Sequence, residues 1–479
     1  MGSGPTLSGQ RPLRRRQLLT RVATAAAGFA GGGLALNALA PRALPEAQGV
    51  DANTSFWARA LPSPNPPLLA SIDADVAVLG AGFTGLSAAY YLRQRFPGRR
   101  VVVLEALRCG NGASGRNGAM LLPSTGDRYL QPSDEPELDA RIDALTIDNI
   151  GRLQRLATAL GIDAEIDTAG AAHALIAGAD VREAADTARR MRDRGIPIDC
   201  WNREQAREAL GTGAYAGALF DPRAGQVHPG KLVALWKRAA EQAGAEIYEG
   251  TPVTGIEEGA VHVLKTARGD RVRAPVLILA TNAYGTRLGY LRRAAAPVWS
   301  YAAMTAPLAE SELAATGWRR GVPFDDSRTE LFYLGLTRDR RIHIGGGKVD
   351  YLFNDGSPGP ATAAERHATL GAMLGELYPS LRHLSFEAAW AGAVDMSLDA
   401  SPSLGTLGAH RNIHYAIGYS GHGVNLTSVF GRILADLVAG NRDEWRWLPY
   451  LDRLPPYLPN EPFRWLGIRA RLAAIRALE

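Results

Sequence analysis

The clearest pattern in the chain is a pair of short apolar runs joined by one helical repeat. Asp75 to Leu79 is an unbroken apolar stretch after its first residue, as a buried parallel strand requires. Gly80-x-Gly82-x-x-Gly85 follows it directly. Leu86, Ala89, Tyr90 and Arg93 then recur at helical spacing, and Pro97–Gly98 ends the repeat. Arg100 to Leu104 is a second β-branched run, closed by Glu105. Far downstream, Ile413 to Ile417 reads as a strand, and Gly418, Gly421 and Gly423 read as a sharp turn. Val424 to Val438 reads as a helix with Val429, Phe430, Ile433, Leu434 and Leu437 at helical spacing, stopped by Gly440. Between these, Leu331 to Gly347 alternates like a hairpin, and Pro297 to Leu308 reads as a further strand.

The first unit has its strand, glycine turn, helix, strand and terminal acid where a dinucleotide fingerprint needs them. Gly80 permits the tight turn, Gly82 lets backbone approach a pyrophosphate, and Gly85 lets the helix lie close to the strand. Phe83 and Thr84 sit in that turn, at a helix N-terminus whose free N–H groups suit phosphate. Glu105 is placed to hold adenosine ribose hydroxyls. This unit does not separate NAD from FAD, since both carry an ADP half.

A second bare loop, "RCGNGASGRNGAM" (108–120), begins three residues after Glu105. It leaves the sheet edge where ligands of open α/β sheets lie. Backbone N–H groups of Ala113, Ser114 and Gly115 can reach an extended cofactor there without side chains in the way. Ser114 and Asn117 can add hydrogen bonds. Arg116 can balance phosphate charge, touch substrate, or brace its own loop. The second loop tilts the reading toward FAD, which extends a ribityl chain and flavin across this edge.

Composition changes the picture little. The 479 residues are 46% apolar and 21% charged, enough for two or three domains of ordinary globular character. The net charge of +5 is small and spread, which argues against nucleic acid as a partner. Cys109 and Cys200 are the only cysteines, so neither a disulfide framework nor a metal-ligand spacing is present, and no metal is expected. The N-terminus is different. "RRRQLLT" (14–20) precedes a Gly- and Ala-rich apolar run, Val22 to Ala40. Arg15–Arg16 resembles a twin-arginine signal, implying the Tat translocase as an export partner and a periplasmic or extracytoplasmic destination. The competing readings are a disordered or mitochondrial-type basic leader, and a cytoplasmic protein.

"ADVAVLGAGFTGLSAAYYL" with "GNGASGRNGA" resembles the D-amino-acid oxidase-like (DAO) family of FAD-dependent amine and amino-acid oxidoreductases, and within it the gamma-glutamylputrescine oxidase-like branch. The resemblance continues through "GQVHPGKLVALWKRAAEQAGAEIYEGTPVTGI" (225–256), "VLILATNAY" (276–284), "WAGAVDMSLDASPSLG" (390–405) and "YAIGYSGHGVNLTSVFGRILADLVAG" (415–440). It spans roughly residues 55 to 470 and is specific for flavin binding more than for substrate. It implies an α/β (α+β overall) fold: a Rossmann-like FAD domain, discontinuous in sequence, with a mixed-sheet substrate domain. The expected layout is a signal segment at 1–45, a linker at 46–69 with Phe56 and Trp57 packing on the body, and the FAD domain at 70–165, 225–284 and 386–445. The substrate domain is expected at 166–224 and 285–385, with a C-terminal extension at 446–479.

The same resemblance implies backbone contacts to adenine near Val253, and flavin contacts from Gly421, His422, Gly423 and Val424. The helix after them would set its positive end against the negative charge of reduced flavin. His422 is also a candidate catalytic group, against a structural or cofactor-side role. His228 is expected to be a structural hydrogen-bond maker. Trp299, Tyr301, Phe332 and Tyr333 are candidates for an aromatic pocket wall, although strand alternation lets half of them face the core. Two departures matter. The covalent-flavin cysteine of sarcosine-oxidase-like members is missing, so FAD is expected to be non-covalent. Their substrate-gripping lysine is replaced by Asn425, which cannot form that ion pair and shifts the expected substrate from a simple α-amino acid toward an amine.

The cofactor implies hydride loss from a carbon beside a neutral amine, hydrolysis of the imine, and reoxidation by O2 or another acceptor. Lys348 and Arg293 are candidates for a cation that activates oxygen. An NAD(P)H-dependent reductase would need a second fingerprint or a redox cysteine pair, and the chain has neither. The remaining alternatives are a flavin-binding protein without turnover, a tRNA-modifying flavoprotein, and a dehydrogenase feeding a membrane acceptor.

Overall fold

The computed structural model describes residues 55–318 and 321–478. The leader expected at residues 1–45 lies outside the described residues. The described residues fall into two compact units, one up to residue 458 and one from residue 459. In the second, the described residues form the helix Phe463–Leu478, at whose start Trp465 donates its N–H to Glu461.

Two large sheets organise the first unit. The six-stranded sheet has the order β19 (Ser403–Leu407), β20 (Ile413–Ile417), β13 (Val276–Leu279), β2 (Val76–Leu79), β3 (Val101–Leu104) and β9 (Glu246–Tyr248). Its pairings are parallel except for β19 against β20. The strands β2 and β3 are buried along their whole length, which is why they read as unbroken apolar runs. Helix α1 (Phe83–Arg95) joins them and packs with α2 (Pro136–Leu160), α3 (Pro229–Gln242) and α5 (Gly423–Val438) around one apolar core. The expected hairpin and the strand at 297–308 form as read.

The eight-stranded sheet is mixed. Its order is β18 (Phe386–Met396), β14 (Ala296–Thr305), β17 (Ile342–Gly346), β16 (Phe332–Leu336), β15 (Phe324–Asp326), β5 (Ala171–Leu175), β7 (Gly217–Asp221) and β6 (Asp199–Asn202). Only β15 against β5 is parallel. One face packs on α4 (Pro360–Leu377). Two small sheets complete the unit: β1 (Ile72–Asp73), β12 (Arg271–Ala274), β11 (His262–Thr266) and β10 (Val253–Glu257), and the pair β4 (Met120–Leu121) with β8 (Gly225–Gln226).

The strand layout differs from expectation in one place. The segment 386–445, expected whole in the FAD domain, divides: β18 pairs with β14 along nearly its full length in the other sheet. The expected packing of Phe56 and Trp57 on the body is present. Phe56–Ala60 is a short helical turn, and Trp57 is fully buried against His228, His343 and Trp390.

Candidate active site

The two glycine-rich loops lie against each other. Gly80 has φ +101°, which favours glycine, and a Cβ there would meet the Ala280 carbonyl oxygen at 2.6 Å. Gly85 sits on the turn it follows, so its Cβ would lie 1.9 Å from the Gly80 carbonyl oxygen. From the second loop, Gly110 donates its N–H to the Ala81 carbonyl, and Ser114 Oγ accepts the Phe83 N–H at 2.9 Å. The first intrahelical bond of α1 runs from Leu86 to Gly82. The N–H groups of Gly82, Thr84 and Gly85 therefore have no intrahelical acceptor and make the turn an anion cradle.

Glu105 closes the far side. Its carboxylate accepts the N–H of Ala81 at 2.9 Å and of Leu107 at 3.0 Å, leaving lone pairs for two further donors. Burial pushes this carboxyl upward, and hydroxyl donors would offset that. Thr251, just after β9, donates its N–H to the Glu105 carbonyl, and Val253 opens β10 two residues later. Val253 thus stands near Glu105. A bare cradle at a helix N-terminus, a buried carboxylate with spare acceptors, and an adjoining side-chain-poor loop fit the ADP half of FAD and the chain beyond it.

The second loop is held rigidly. Asn117 donates its amide to the Ala113 and Ser114 carbonyls and accepts the Ala119 N–H. Ser55 Oγ donates to the Gly115 carbonyl and Trp57 Nε1 to the Asn117 carbonyl. Arg116 is buried; it donates to the carbonyls of Asn111 at 2.6 Å and Ala391 at 3.0 Å, while Trp390 Nε1 donates to its carbonyl. The arginine ties its loop to β18. His343 Nε2 lies 3.0 Å from the Gly118 carbonyl, which can only accept, so that nitrogen carries the proton. Burial holds the imidazole neutral, with its pKa lowered to about 4. Val424, Asn425 and the Thr84 side chain are buried in packing; Thr84 Oγ1 and Tyr419 Oη bond at 2.8 Å and join α1 to the turn before α5. That turn is held by buried Asp395, whose carboxylate accepts the N–H groups of Gly418 and Tyr419 and is raised to about 7 by desolvation.

Three of the four aromatic candidates are core residues. Trp299, Tyr301 and Phe332 are buried on the α4 face of the large sheet, with Tyr301 bonded to Asp350 and Trp299 Nε1 to the Gly356 carbonyl. Tyr333, of opposite parity, faces the glycine loop: a Cβ on Gly118 would meet its ring at 2.5 Å. Asn425 is not a pocket residue. Its amide donates to the Leu122 and Thr146 carbonyls and accepts from Asn149, locking α5 to α2. Lys348 and Arg293 are exposed, and Arg293 stacks on Tyr457, so neither is placed to act on a buried flavin. His228 caps α3 by accepting the Lys231 N–H, as expected.

Tyr129 and His422 pack together, with ring centroids 6.2 Å apart. Desolvation dominates the environment of Tyr129, Tyr333 and His422, raising the phenols and lowering the imidazole. Each keeps part of its surface accessible. Sequence reading missed Tyr129, and missed the dyad of His173 Nδ1 and Asp325 Oδ1, 3.1 Å apart. Neither lies in a motif: Tyr129 sits in a turn, and the register of a non-local sheet brings His173 to Asp325.

The family model for FAD dependent oxidoreductases matches residues 75–437. The gamma-glutamylputrescine oxidoreductase of Escherichia coli K12 is 30% identical over 403 residues, covering 82% of this chain and 90% of that protein. The probable oxidoreductase OrdL of Haemophilus influenzae is 31% identical over 391 residues, covering 78% and 85%. Among solved structures, glycine oxidase from Geobacillus kaustophilus aligns with a TM-score of 0.65 at 24% identity, covering 77% of this chain and 95% of that one.

Proposed function

Since the chain belongs to the DAO family of FAD-dependent oxidoreductases and its cofactor is FAD, we propose that it oxidises the carbon–nitrogen bond of an amine or amino-acid-like substrate. The observation that carries this reading is the glycine-loop cradle at the start of α1, with the buried Glu105 carboxylate beside it and the Tyr333 ring against Gly118 of the second loop. When bound, the flavin supplies a two-electron acceptor for hydride from the carbon next to nitrogen. The chain's own residues do the rest. Tyr129 and Tyr333 stay protonated and His422 stays uncharged, because burial disfavours each charged form. The same surroundings favour the neutral, electron-donating form of a reacting amine. The ties from Ser55, Trp57, Asn117, Arg116 and His343 fix the loop on which the cofactor would rest. The imine product is hydrolysed by water, and O2 or another acceptor takes the electrons.

Non-covalent attachment is part of this reading: Cys109 is buried with its thiol pushed upward by burial, and Cys200 is at the far end of the large sheet. The test is an anaerobic titration of the purified holoenzyme with amines and amino acids, following the flavin absorbance. Bleaching by at least one amine is expected; a flavin that no member of the panel bleaches refutes turnover of this class.

We further propose export through the twin-arginine route to an extracytoplasmic site. It is supported by the Arg15–Arg16 pair and the weakly apolar run after it. Replacing both arginines by lysine is expected to retain the protein in the cytoplasm, read by fractionation. Unchanged export would remove this reading.

A further inference from the structure

Where α1 ends, away from the cofactor cradle, it meets a cluster of arginines with few acceptors to share. The cradle lies at the N-terminus of this helix, and Arg95 is its last residue. Its 13 residues set the two ends about 20 Å apart. Arg152 of α2, Arg432 of α5 and Trp445, from the turn after α5, join Arg95 around a surface cleft of about 400 Å³. Asp436 and Glu444 add carboxylates to its lining.

The buried acids there are already committed. Asp436 pairs with Arg95 and accepts the Trp445 Nε1 proton at 2.9 Å. Asp148 serves three guanidiniums: Arg152 at 2.6 Å, and Arg155 and Arg432 at 3.7 Å each. Arg432 is the least satisfied of them. Its side chain is 14% exposed, yet it makes no hydrogen bond to any described residue, and its Nε is buried without a partner. Its guanidinium also lies over the Trp445 ring, at 5.5 Å, a contact that uses none of its N–H donors. Burial and the neighbouring charges of Arg152 and Arg95 push its pKa down, as befits a cation short of acceptors.

We propose that this cleft binds a compact tetrahedral oxyanion, a phosphoryl- or sulfate-type group, held by Arg432 with Arg152 and Arg95. A guanidinium presents a fork of donors that matches such a group with two parallel hydrogen bonds. The anion supplies the acceptors that Arg432 lacks and relieves the crowding of guanidiniums on Asp148. Glu444 is exposed and can turn to solvent. One ligand there ties α1, α2 and α5 to one another. The site is independent of the amine-oxidising reading.

The test uses holoenzyme saturated with FAD, so that the cradle is filled. Calorimetry follows titration with inorganic phosphate, sulfate and glycerol phosphate, each against chloride at matched ionic strength, which screens equally. The wild type is expected to bind phosphate, and to melt at a higher temperature in phosphate than in chloride. Arg432→Gln and Arg152→Gln should each weaken binding by about 10- to 100-fold, the worth of a charged hydrogen bond. Tighter binding of glycerol phosphate than of inorganic phosphate would assign the site to a phosphorylated small molecule, and the reverse order to the free ion; both support it. No binding beyond the chloride control overturns the proposal, and the arginines then answer only the negative C-terminal end of α1 and the acids around them. Wild-type affinity retained in the variants overturns it too, by placing the anion elsewhere. Should Arg432→Gln not fold, Arg152→Gln still decides, since that side chain is 42% exposed.

Discussion

Gly85→Ala is expected to cost the protein its flavin. The added methyl would stand 1.9 Å from the Gly80 carbonyl oxygen and 3.3 Å from the Ala280 Cβ. The first contact is with backbone, so no rotamer change relieves it. Either α1 moves away from β2 or the turn at Gly80 opens, and Gly80 is already fixed at φ +101° by its approach to Ala280. Both movements displace the N–H groups of Gly82, Thr84 and Gly85 and break the Phe83 to Ser114 bond that seats the second loop. Overpacking of this kind costs about 1–3 kcal/mol in stability. Cofactor affinity should fall by about 100-fold, since the cradle and the helix end are displaced together. Flavin absorbance per mole of purified protein and titration of the apoprotein with FAD give the answer. Full occupancy and unchanged affinity would show that the turn is not the pyrophosphate cradle.

Lys237→Met is expected to destabilise the fold by about 3–5 kcal/mol, the cost of leaving a buried charge unpaired. Lys237 and Glu249 are among the most buried charges of the body, 3% and 2% exposed, with Nζ and Oε2 2.5 Å apart. Glu249 also accepts the N–H of Cys109 at 2.7 Å and of Asn65 at 2.6 Å, while Lys237 donates to the Ser63 carbonyl at 2.8 Å. One ion pair therefore gathers α3, the end of β9, the start of the second glycine loop and the segment after Trp57. Methionine fills the volume but supplies no charge. The melting temperature should drop by about 3–6 °C. The double variant Lys237→Met, Glu249→Gln should be more stable than Lys237→Met alone, because no unpaired carboxylate remains. A single variant that melts with the wild type would show that Glu249 is satisfied by its backbone donors.

The parts of this molecule that sequence made readable are those specified locally. The strand, turn and helix from Val76 to Arg95 are dictated by contiguous residues: apolar strands buried on both faces, glycines at the tight turn, and the stop at Pro97–Gly98. The hairpin of β16 and β17 shows its alternation openly. What stayed hidden depends on parity and register. The strand β14 is buried on both faces apart from Val298 and Ser300, so nothing in it says which side meets the core. Trp299 and Tyr301 were candidates for the pocket on chemistry alone, and a one-residue difference in parity puts them in packing instead. Asn425 is a pocket candidate only through the family resemblance, which sets a substrate-gripping lysine at its position. Its three-residue spacing from Ser428, both reaching Asn149, was the available sign of a helix–helix contact. The Asp325–His173 dyad joins residues 152 positions apart and left no local trace.

That non-locality has a kinetic side. The cofactor loop is fastened by Ser55 from 60 residues before it and by Ala391 from 275 residues after it, and Thr84 meets Tyr419 across 335 residues. Each such contact must close a long chain loop before it is rewarded, which makes high contact order slow. The seating of the second loop on the locally formed cradle is thus expected late in folding, and with it the retention of FAD. Cofactor capture then serves as the closing step of maturation, drawing the final equilibrium toward the native chain by mass action.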